Sequence, residues 1–323
     1  MSEEIVLSVS ITTYNMEKYI ARAIESVLSQ KTNFAYEIIV ADDCSTDDTI
    51  CILQKYQQQT GEKFVILYAE ENRGLIANYV GSLKAARGKY IASLDADDYW
   101  IDENKSQKQI DILNANQEVG YIHTNYYHED DITKKRRLAK SLHYRPSESN
   151  VFINNLLYYD IYLGSSCIRK SALDFEELAV FVNKNFGAQD YSIFLSLALK
   201  TKGYYLPEPT AVCSVIINSM SRQIDVMKSI EWMNKTFVIG NYFAAKYSVP
   251  ASIKAKIKFL HNQSVLLAAW ASRDFNFVQQ YTQGLRLCDF LKYNPKAAYI
   301  FIASKNKFLY HLFIPWVLRK RKF

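Results

Sequence analysis

The sequence predicts an α/β fold built on an open, mostly parallel sheet flanked by helices, on three observations. The first hundred residues alternate strand-type and helix-type segments. The strand-type segments are apolar, β-branched runs, as strands covered on both faces are. Acidic residues gather where those runs end, and ligands of open α/β sheets sit at the carboxyl ends of the strands.

LSVSITTYN (residues 7–15) is the first strand-type run, and EKYIARAIESVLSQ (17–30) follows with Ile20, Ile24, Val27 and Leu28 at helical spacing. YEIIVADD (36–43) predicts the second strand. Thr46 then reads as an N-cap, with Asp47 and Asp48 in the first turn of a helix over TICILQKYQQQ (49–59). FVILYAEEN (64–72) and LIANYVGSLKAAR (75–87) form the third pair, closed by Gly88. YIASLDADD (90–98) is the fourth strand, and IDENKSQKQIDILNANQ (101–117) is its helix, with Asp102 as N-cap. Beyond these, VGYIHTNYYHED (119–130) and TAVCSVI (210–216) predict extra mixed strands, and AQDYSIFLSLALKTK (188–202) a helix. DDITKKRRLAKS (130–141) reads as a charged, mobile hairpin tip. From 223 onward only helical patterns occur, such as ASIKAKIKFLHNQSVLLAAWA (251–271). The predicted organisation is an α/β domain over 1–222 and a basic helical appendage over 223–323.

Charge follows that division. Residues 1–222 hold 23 Lys/Arg against 29 Asp/Glu, whereas residues 223–323 hold 16 against 4, a net +12. The acidic part suits metal ions and the basic part an anionic partner. Basic residues interleaved with aromatic ones, ending in FLYHLFIPWVLRKRKF (308–323), favour an anionic membrane surface. No motif that reads nucleic acid is present, so a nucleic-acid partner is not expected. Cysteines 44, 51, 167, 213 and 288 have no CxxC spacing, which argues against a disulfide framework and a zinc ribbon. The start, MSEEIVLSVSITTYN, lacks the basic region of a signal peptide. Lys305, Asn306 and Lys307 break the best candidate for a membrane span. The expected location is therefore cytoplasmic, peripheral on the inner face of the plasma membrane.

The strand ends hold the candidate chemistry. The first closes with Thr12-Thr13-Tyr14-Asn15, the second with Asp42-Asp43, and the fourth with Asp95-Ala96-Asp97-Asp98. Like charges at neighbouring strand ends are unfavourable unless a cation or a donor-rich ligand compensates them. Asp-x-Asp offers two carboxylates to a hard divalent ion, Mg2+ or Mn2+, carrying a substrate diphosphate. Asp98 is read equally as shaping the turn or as contacting ligand. No GxGxxG follows the first strand, which disfavours a dinucleotide-binding domain, and no GxxxxGK[ST] is present.

The ordered motifs SVSITTYNMEKYIARAIESVLSQ, EIIVADDCSTDDT and ENRGLIANYVGSLKAARGKYIASLDADD resemble family 2 inverting glycosyltransferases of the GT-A fold, of the type acting in bacterial cell-surface polysaccharide synthesis. The resemblance covers roughly residues 5–222. It implies a nucleotide-sugar donor, usually a uridine-diphosphate sugar, and a glycan or lipid-linked acceptor. It implies that Thr12 and Tyr14 hold the nucleotide base, the Tyr14 ring packing on uracil, and that Asp43 hydrogen-bonds the base. Asp95 then faces ribose or sugar and Asp97 the metal. Leu163-Gly164-Ser165-Ser166 matches the acceptor-side segment, and Asp190 matches the general base.

Two positions depart from the family pattern. Gln189 stands where a Glu usually precedes the base, and Ile216 where a His usually lies near diphosphate and metal; Arg222 is a candidate for the missing charge. Those departures keep open a non-catalytic nucleotide- or glycan-binding relative, and a nucleotidyltransferase on a similar sheet is a third reading. Read from the sequence alone, Asp190 is also a candidate N-cap of its helix.

Overall fold

A computed structural model describes residues 4–139, 151–216 and 225–319. The chain divides into two compact units, Met1–Ile216 and Ile217–Phe323. The boundary expected near 222 falls in 217–224, outside the described residues.

The first unit opens with β1 (Ile5–Thr13), α1 (Ile20–Leu28), β2 (Ala35–Asp42), α2 (Thr49–Thr60), β3 (Phe64–Tyr68), α3 (Leu75–Ala85) and β4 (Tyr90–Asp95). These strands are parallel in the order β3-β2-β1-β4. The chain steps outward from β1 to β3 and then returns to place β4 on the other side of β1. The switch point of the sheet thus lies between β1 and β4, where a crevice opens.

The apolar runs proved to be two-sided. Leu7, Val9 and Ile11 of β1, with Ile38, Val40, Ala92 and Leu94, join Ile20, Ala23, Ile24 and Val27 of α1 in one core cluster. The alternate residues of β1 face the other way. There Ser8 Oγ donates to the buried Glu37 carboxylate at 2.6 Å, Ser10 bonds Ser82 of α3 at 2.5 Å, and the Tyr79 hydroxyl of α3 meets Ser93 at 2.6 Å. This face is therefore a seam of buried hydroxyls, each satisfied, and Thr12 and Asp95 continue it to the strand ends.

The rest of the unit comprises β5 (Tyr99–Trp100), α4 (Lys105–Ala115), β6 (Val119–Asp130), β7 (Arg136–Leu138), α5 (Val151–Tyr158), β8 (Ser166–Arg169), α6 (Phe175–Asn183), α7 (Gln189–Lys200) and β9 (Lys202–Val215). The nine-stranded sheet runs β3-β2-β1-β4-β8-β6-β9-β5, with β7 paired to β6. β8 is antiparallel to both β4 and β6, so its far half is mixed. The expected hairpin tip is a true hairpin, but not a loose one: Arg136 Nε donates to Glu129 at 2.8 Å and Tyr19 Oη to Asp131 at 2.8 Å. Lys140 and Ser141 lie outside the described residues.

Two helix starts differ from expectation. α2 begins at Thr49, and Asp47 rather than Thr46 serves its first turn, accepting from Thr49 N at 3.0 Å and Thr49 Oγ1 at 2.5 Å. The Thr46 amide instead donates to Asn15 Oδ1 at 2.8 Å. α4 is capped at Asn104, while Asp102 accepts from the Asn104 amide and from Lys108 Nζ, both at 2.9 Å.

The second unit is helical among the described residues: α8 (Val226–Lys246), α9 (Ala251–Ala269), α10 (Phe275–Gln280), α11 (Leu287–Tyr293), α12 (Ala298–Lys305) and α13 (Lys307–Arg319). Its core gathers Phe259, Leu266, Trp270, Val278, Phe290 and Tyr310, and the Trp270 indole donates to Ser304 Oγ at 2.8 Å. No helix among the described residues is long and apolar enough to cross a membrane.

Gly88 is fixed by a close backbone approach. A Cβ there would lie 2.6 Å from Ser8 N and 2.8 Å from Leu7 C, and the Gly88 amide donates to Ser8 Oγ at 2.9 Å. Because β1 is a central strand, its backbone cannot retreat. Gly88→Ala should destabilise the protein by about 1–3 kcal/mol, as overpacking does. Urea denaturation checks this, and an unchanged midpoint would show that the approach is slack.

Candidate active site

The crevice is built where β1 and β4 lie side by side. Thr12 is in register with Asp95, and its hydroxyl donates to Asp95 Oδ1 at 2.9 Å. The chain then turns tightly: the Ala96 amide donates to Thr12 O at 3.1 Å and the Asp98 amide to Asp95 O at 3.0 Å. This turn presents three carboxylates within four residues.

They differ in what they touch. Asp98 is tied into the protein, accepting from the Tyr162 hydroxyl and from the Ser214 amide of β9 at 2.6 Å. Those two bonds give Asp98 a part in shaping the turn. Asp97 takes its own backbone amide and makes no ion pair among the described residues. Burial, then the neighbouring Asp95 charge, pushes its carboxyl up to about 7. Burial also raises Asp95, against the opposing bond from Thr12. The donor set is hard oxygen and its charge is largely uncompensated, which fits a divalent cation. No group of three or more His, Cys, Asp or Glu side chains among the described residues forms a ready metal cage. The fit is therefore to an ion held by one or two carboxylates together with substrate phosphates, as Mg2+ commonly is.

Asp190 is the second residue of α7, whose N-cap is Ala188, so it does not cap the helix. Its Oδ1 accepts the Tyr191 amide at 2.8 Å. Burial raises its pKa to about 6, and the Asp95 charge adds to that rise, so the start of α7 lies near the β4 turn. The Tyr159 hydroxyl interacts with the Asp190 carboxylate and opposes the shift.

Residues 163–166 are anchored by side chains that follow the β4 turn. Trp100 Nε1 donates to Gly164 O at 2.8 Å, and Gln109 Nε2 to Ser165 O at 2.9 Å. Lys105, fully buried, donates from Nζ to Gln109 Oε1 at 2.8 Å and stands 4.0 Å from the Trp100 ring centroid. Burial lowers its pKa to about 7.

The remaining predicted residues lie at the carboxyl ends of β1 and β2. Asp42 is a turn former, accepting from the Ser45 amide and hydroxyl. Asp43 is buried, and its two oxygens accept the Arg73 and Gly74 amides, both at 2.9 Å, which fixes the loop before α3. Tyr14 presents an exposed ring. The loops after β1 and β2 leave the sheet through left-handed residues, Asn15 at φ 54° and Cys44 at φ 67°, and are pinned together by Asn15 N donating to Ser45 Oγ at 2.9 Å. Thr12, Asp95 and Asp97 thus meet at the ends of β1 and β4 with Asp190 near enough to feel the Asp95 charge, while Tyr14 and Asp43 belong to the loops after β1 and β2.

Sequence reasoning missed Arg22, Ser214, Tyr159 and Tyr162. None is an acid at a strand end, and Arg22 and Ser214 lay only in stretches singled out for other reasons. Arg222 lies outside the described residues, as do Ile217, Asn218, Ser219, Lys320, Arg321, Lys322, Phe323 and the side chains of Trp316 and Arg319.

The sheet order and the acidic crevice at its switch point define a GT-A type fold. The chain belongs to glycosyl transferase family 2, whose profile matches residues 8–174. Three uncharacterized mycobacterial proteins, from Mycobacterium tuberculosis and Mycobacterium bovis, are 38% identical over 113 residues, covering 35% of this chain and 33% of theirs. The match thus spans about a third of the length of those relatives. The Escherichia coli UDP-Glc:alpha-D-GlcNAc-diphosphoundecaprenol beta-1,3-glucosyltransferase WfaP is 28% identical over 234 residues, covering 70% of this chain and 86% of its own. Among solved structures, S. aureus TarS 1–349 in complex with UDP-GlcNAc superposes with a TM-score of 0.62 at 15% identity, over 99% of this chain and 93% of that one. The mannosyltransferase PcManGT from Pyrobaculum calidifontis, in complex with GDP-Man and Mn2+, gives 0.52 at 14%, over 98% and 88%. These two likenesses concern the fold.

The acidic turn carries a stability prediction. The Asp97 pKa of about 7 in the folded protein exceeds the unfolded value of about 3.9. The folded state then binds the extra proton between those values, and stability falls as pH rises through that window. Metal-free Asp97→Asn should therefore melt higher than the parent at pH 8, by at least the ~2–4 °C that 1 kcal/mol gives a unit of this size, and the gap should close toward pH 4. Equal melting temperatures at pH 8 would refute the charge crowding.

Proposed function

We propose that the protein transfers a sugar from a nucleotide-sugar donor, a UDP-sugar, to a hydroxyl of a glycan or lipid-linked acceptor, with inversion at the anomeric carbon. The observation that carries this reading is the nearness of Asp190 to the Asp95–Asp97 pair, one carboxylate for the acceptor and two for the donor. The UDP-GlcNAc bound by TarS and the UDP-Glc in the name of WfaP support the donor class. The diphosphoundecaprenol in that same name supports a lipid-linked acceptor in cell-surface polysaccharide synthesis.

The Tyr14 ring, open to solvent, packs on uracil. Asp43 hydrogen-bonds the base, since carboxylate oxygens that already accept one amide each retain further lone pairs. Thr12 holds Asp95 toward ribose or sugar. Asp97 holds Mn2+ or Mg2+, which when bound offsets charge developing on the leaving diphosphate. The Mn2+ bound by PcManGT supports that choice of ion.

An acceptor hydroxyl is a weak nucleophile until a base takes its proton. Asp190 takes it as the oxygen forms its bond to the anomeric carbon. The bond to the nucleoside diphosphate breaks, its electron pair leaving with the diphosphate, and a single displacement inverts the centre. The raised Asp190 pKa suits a general base, which works best when poised near the operating pH.

Asp190→Asn should keep donor affinity by calorimetry while turnover falls by about 10²-fold or more. In the parent enzyme the rate should rise with pH through about 6, as Asp190 loses its proton. Turnover that survives the substitution would remove Asp190 from the chemistry. A parent chain inert with every donor would favour a non-catalytic binding relative.

An anionic membrane surface is the further partner in this reading. The four acids of residues 223–323 are all engaged locally. Asp225 and Asp274 cap α8 and α10, Glu231 pairs with Lys235, and Asp289 with Arg286. They leave the unit's basic charge largely unneutralised. Phe308 and Leu312, one turn apart on α13, are 75% and 60% exposed beside Lys305 and Lys307. Each Lys or Arg near an anionic bilayer contributes about 1 kcal/mol. The protein should therefore sediment with anionic but not neutral vesicles, less so as salt rises, and removal of residues 308–323 should weaken this. Equal behaviour with both vesicle types would leave the basic face merely solvated.

A further inference from the structure

We propose that Arg22 and Ser214 form a two-point clamp on the main-chain carbonyl of Asp97, and that this clamp sets how the Asp97 carboxylate faces the donor. The inference rests on the reading above of Asp97 as the metal-facing acid.

Three distances close a triangle. Arg22 Nη2 donates to Asp97 O at 3.0 Å and to Ser214 Oγ at 3.0 Å, and Ser214 Oγ donates to Asp97 O at 2.6 Å. The triangle joins α1, the turn after β4, and β9. The Ser214 amide meanwhile holds Asp98 Oδ1 at 2.6 Å, so β9 grips two successive residues of the turn.

The guanidinium is itself fixed. It lies 4.1 Å from the Tyr99 ring centroid, and its Nη1 stands 3.5 Å from Glu129 Oε1. Glu129 is held in turn by the Tyr99 hydroxyl and by Arg136 Nε, both at 2.8 Å. A planar fork seated on a ring and against a carboxylate loses little further freedom when it binds the carbonyl.

The clamp matters because, among the described residues, the hydrogen bond to the Asp97 carboxylate comes from its own backbone amide. Its carboxylate makes no ion pair among the described residues, and the charges on either side repel it. Its direction must then come from the backbone that carries it, which Arg22 and Ser214 hold. Arg22 also places a positive charge beside the turn, where it opposes the rise of the Asp97 pKa. Arg22 and Ser214 are positioning residues: they act on the donor through Asp97.

The test is calorimetry of UDP binding to the full chain over a range of MnCl2, for the parent, Arg22→Lys, Arg22→Met, Ser214→Ala and the double variant Arg22→Met/Ser214→Ala. Ser214→Ala is small and leaves every charge in place, so it tests the clamp even where an Arg22 variant folds poorly. Melting curves identify the folded variants. Each single change should weaken Mn2+-dependent UDP binding by about 10–100-fold, the usual cost of losing a group that orients a metal ligand. The double variant should be little worse than the poorer single, because both act on one carbonyl. Arg22→Lys should not restore binding, since one ammonium cannot reproduce the planar fork. Full restoration by Lys together with an inert Ser214→Ala would reduce Arg22 to a charge and overturn the clamp. A parent that binds UDP equally with and without Mn2+ would overturn the metal reading and the clamp with it.

Discussion

Mutual repulsion among carboxylates is the constraint on which the rest of this structure depends. Asp95, Asp97 and Asp98 follow one another around a single turn, and Asp190 feels the Asp95 charge. Such a turn would not hold its shape by itself. The surrounding protein holds it through groups that satisfy the backbone and the Asp95 and Asp98 carboxylates while leaving Asp97 open. Thr12 fixes its start, Tyr162 and the Ser214 amide fix Asp98, and Arg22 grips the carbonyl between. Stability is given up locally so that charge is available where a ligand arrives, a pattern common at functional sites.

Much of the parallel half of this arrangement was legible in the sequence. Strand ends are visible as the points where β-branched runs stop, and the acids there stand out because nothing apolar explains them. What stayed hidden was of three kinds. The hydroxyl face of β1 is written in the alternation of Leu7-Ser8-Val9-Ser10-Ile11-Thr12, but the partners that satisfy it, Glu37 and Ser82, come from distant elements and were hidden. Short elements such as β5 and β7 owe their existence to pairing across more than a hundred residues for β5, or to a local hairpin for β7, and carry no period of their own. Arg22 was hidden most completely. On the helical pattern of α1 it reads as a solvated position, and its role comes from what the fold brings to it.

The two units solve different problems. In the first, acidic groups are buried and held by hydrogen bonds. In the second, the few acids are spent on helix caps and local pairs, and the surplus of lysine and arginine stays at the surface with exposed aromatic and aliphatic residues. The opposite charge of the two segments is thus reflected in opposite use of their acids, which composition alone could not reveal.

The ties that hold residues 162–165 limit how this chain can diversify. Tyr162, Gly164 and Ser165 are bonded to Asp98, Trp100 and Gln109, residues in and after the turn that ends β4. A Cβ at Gly164 would meet the Tyr162 ring at 2.4–2.8 Å, so that glycine is part of the same fitting. A segment transplanted from a relative with another acceptor would arrive without its matching tryptophan and glutamine. It would also lose the partner of Asp98. Recombination within such a scaffold must therefore exchange residues 98–109 and 162–165 as one block, even though more than fifty positions separate them in the chain.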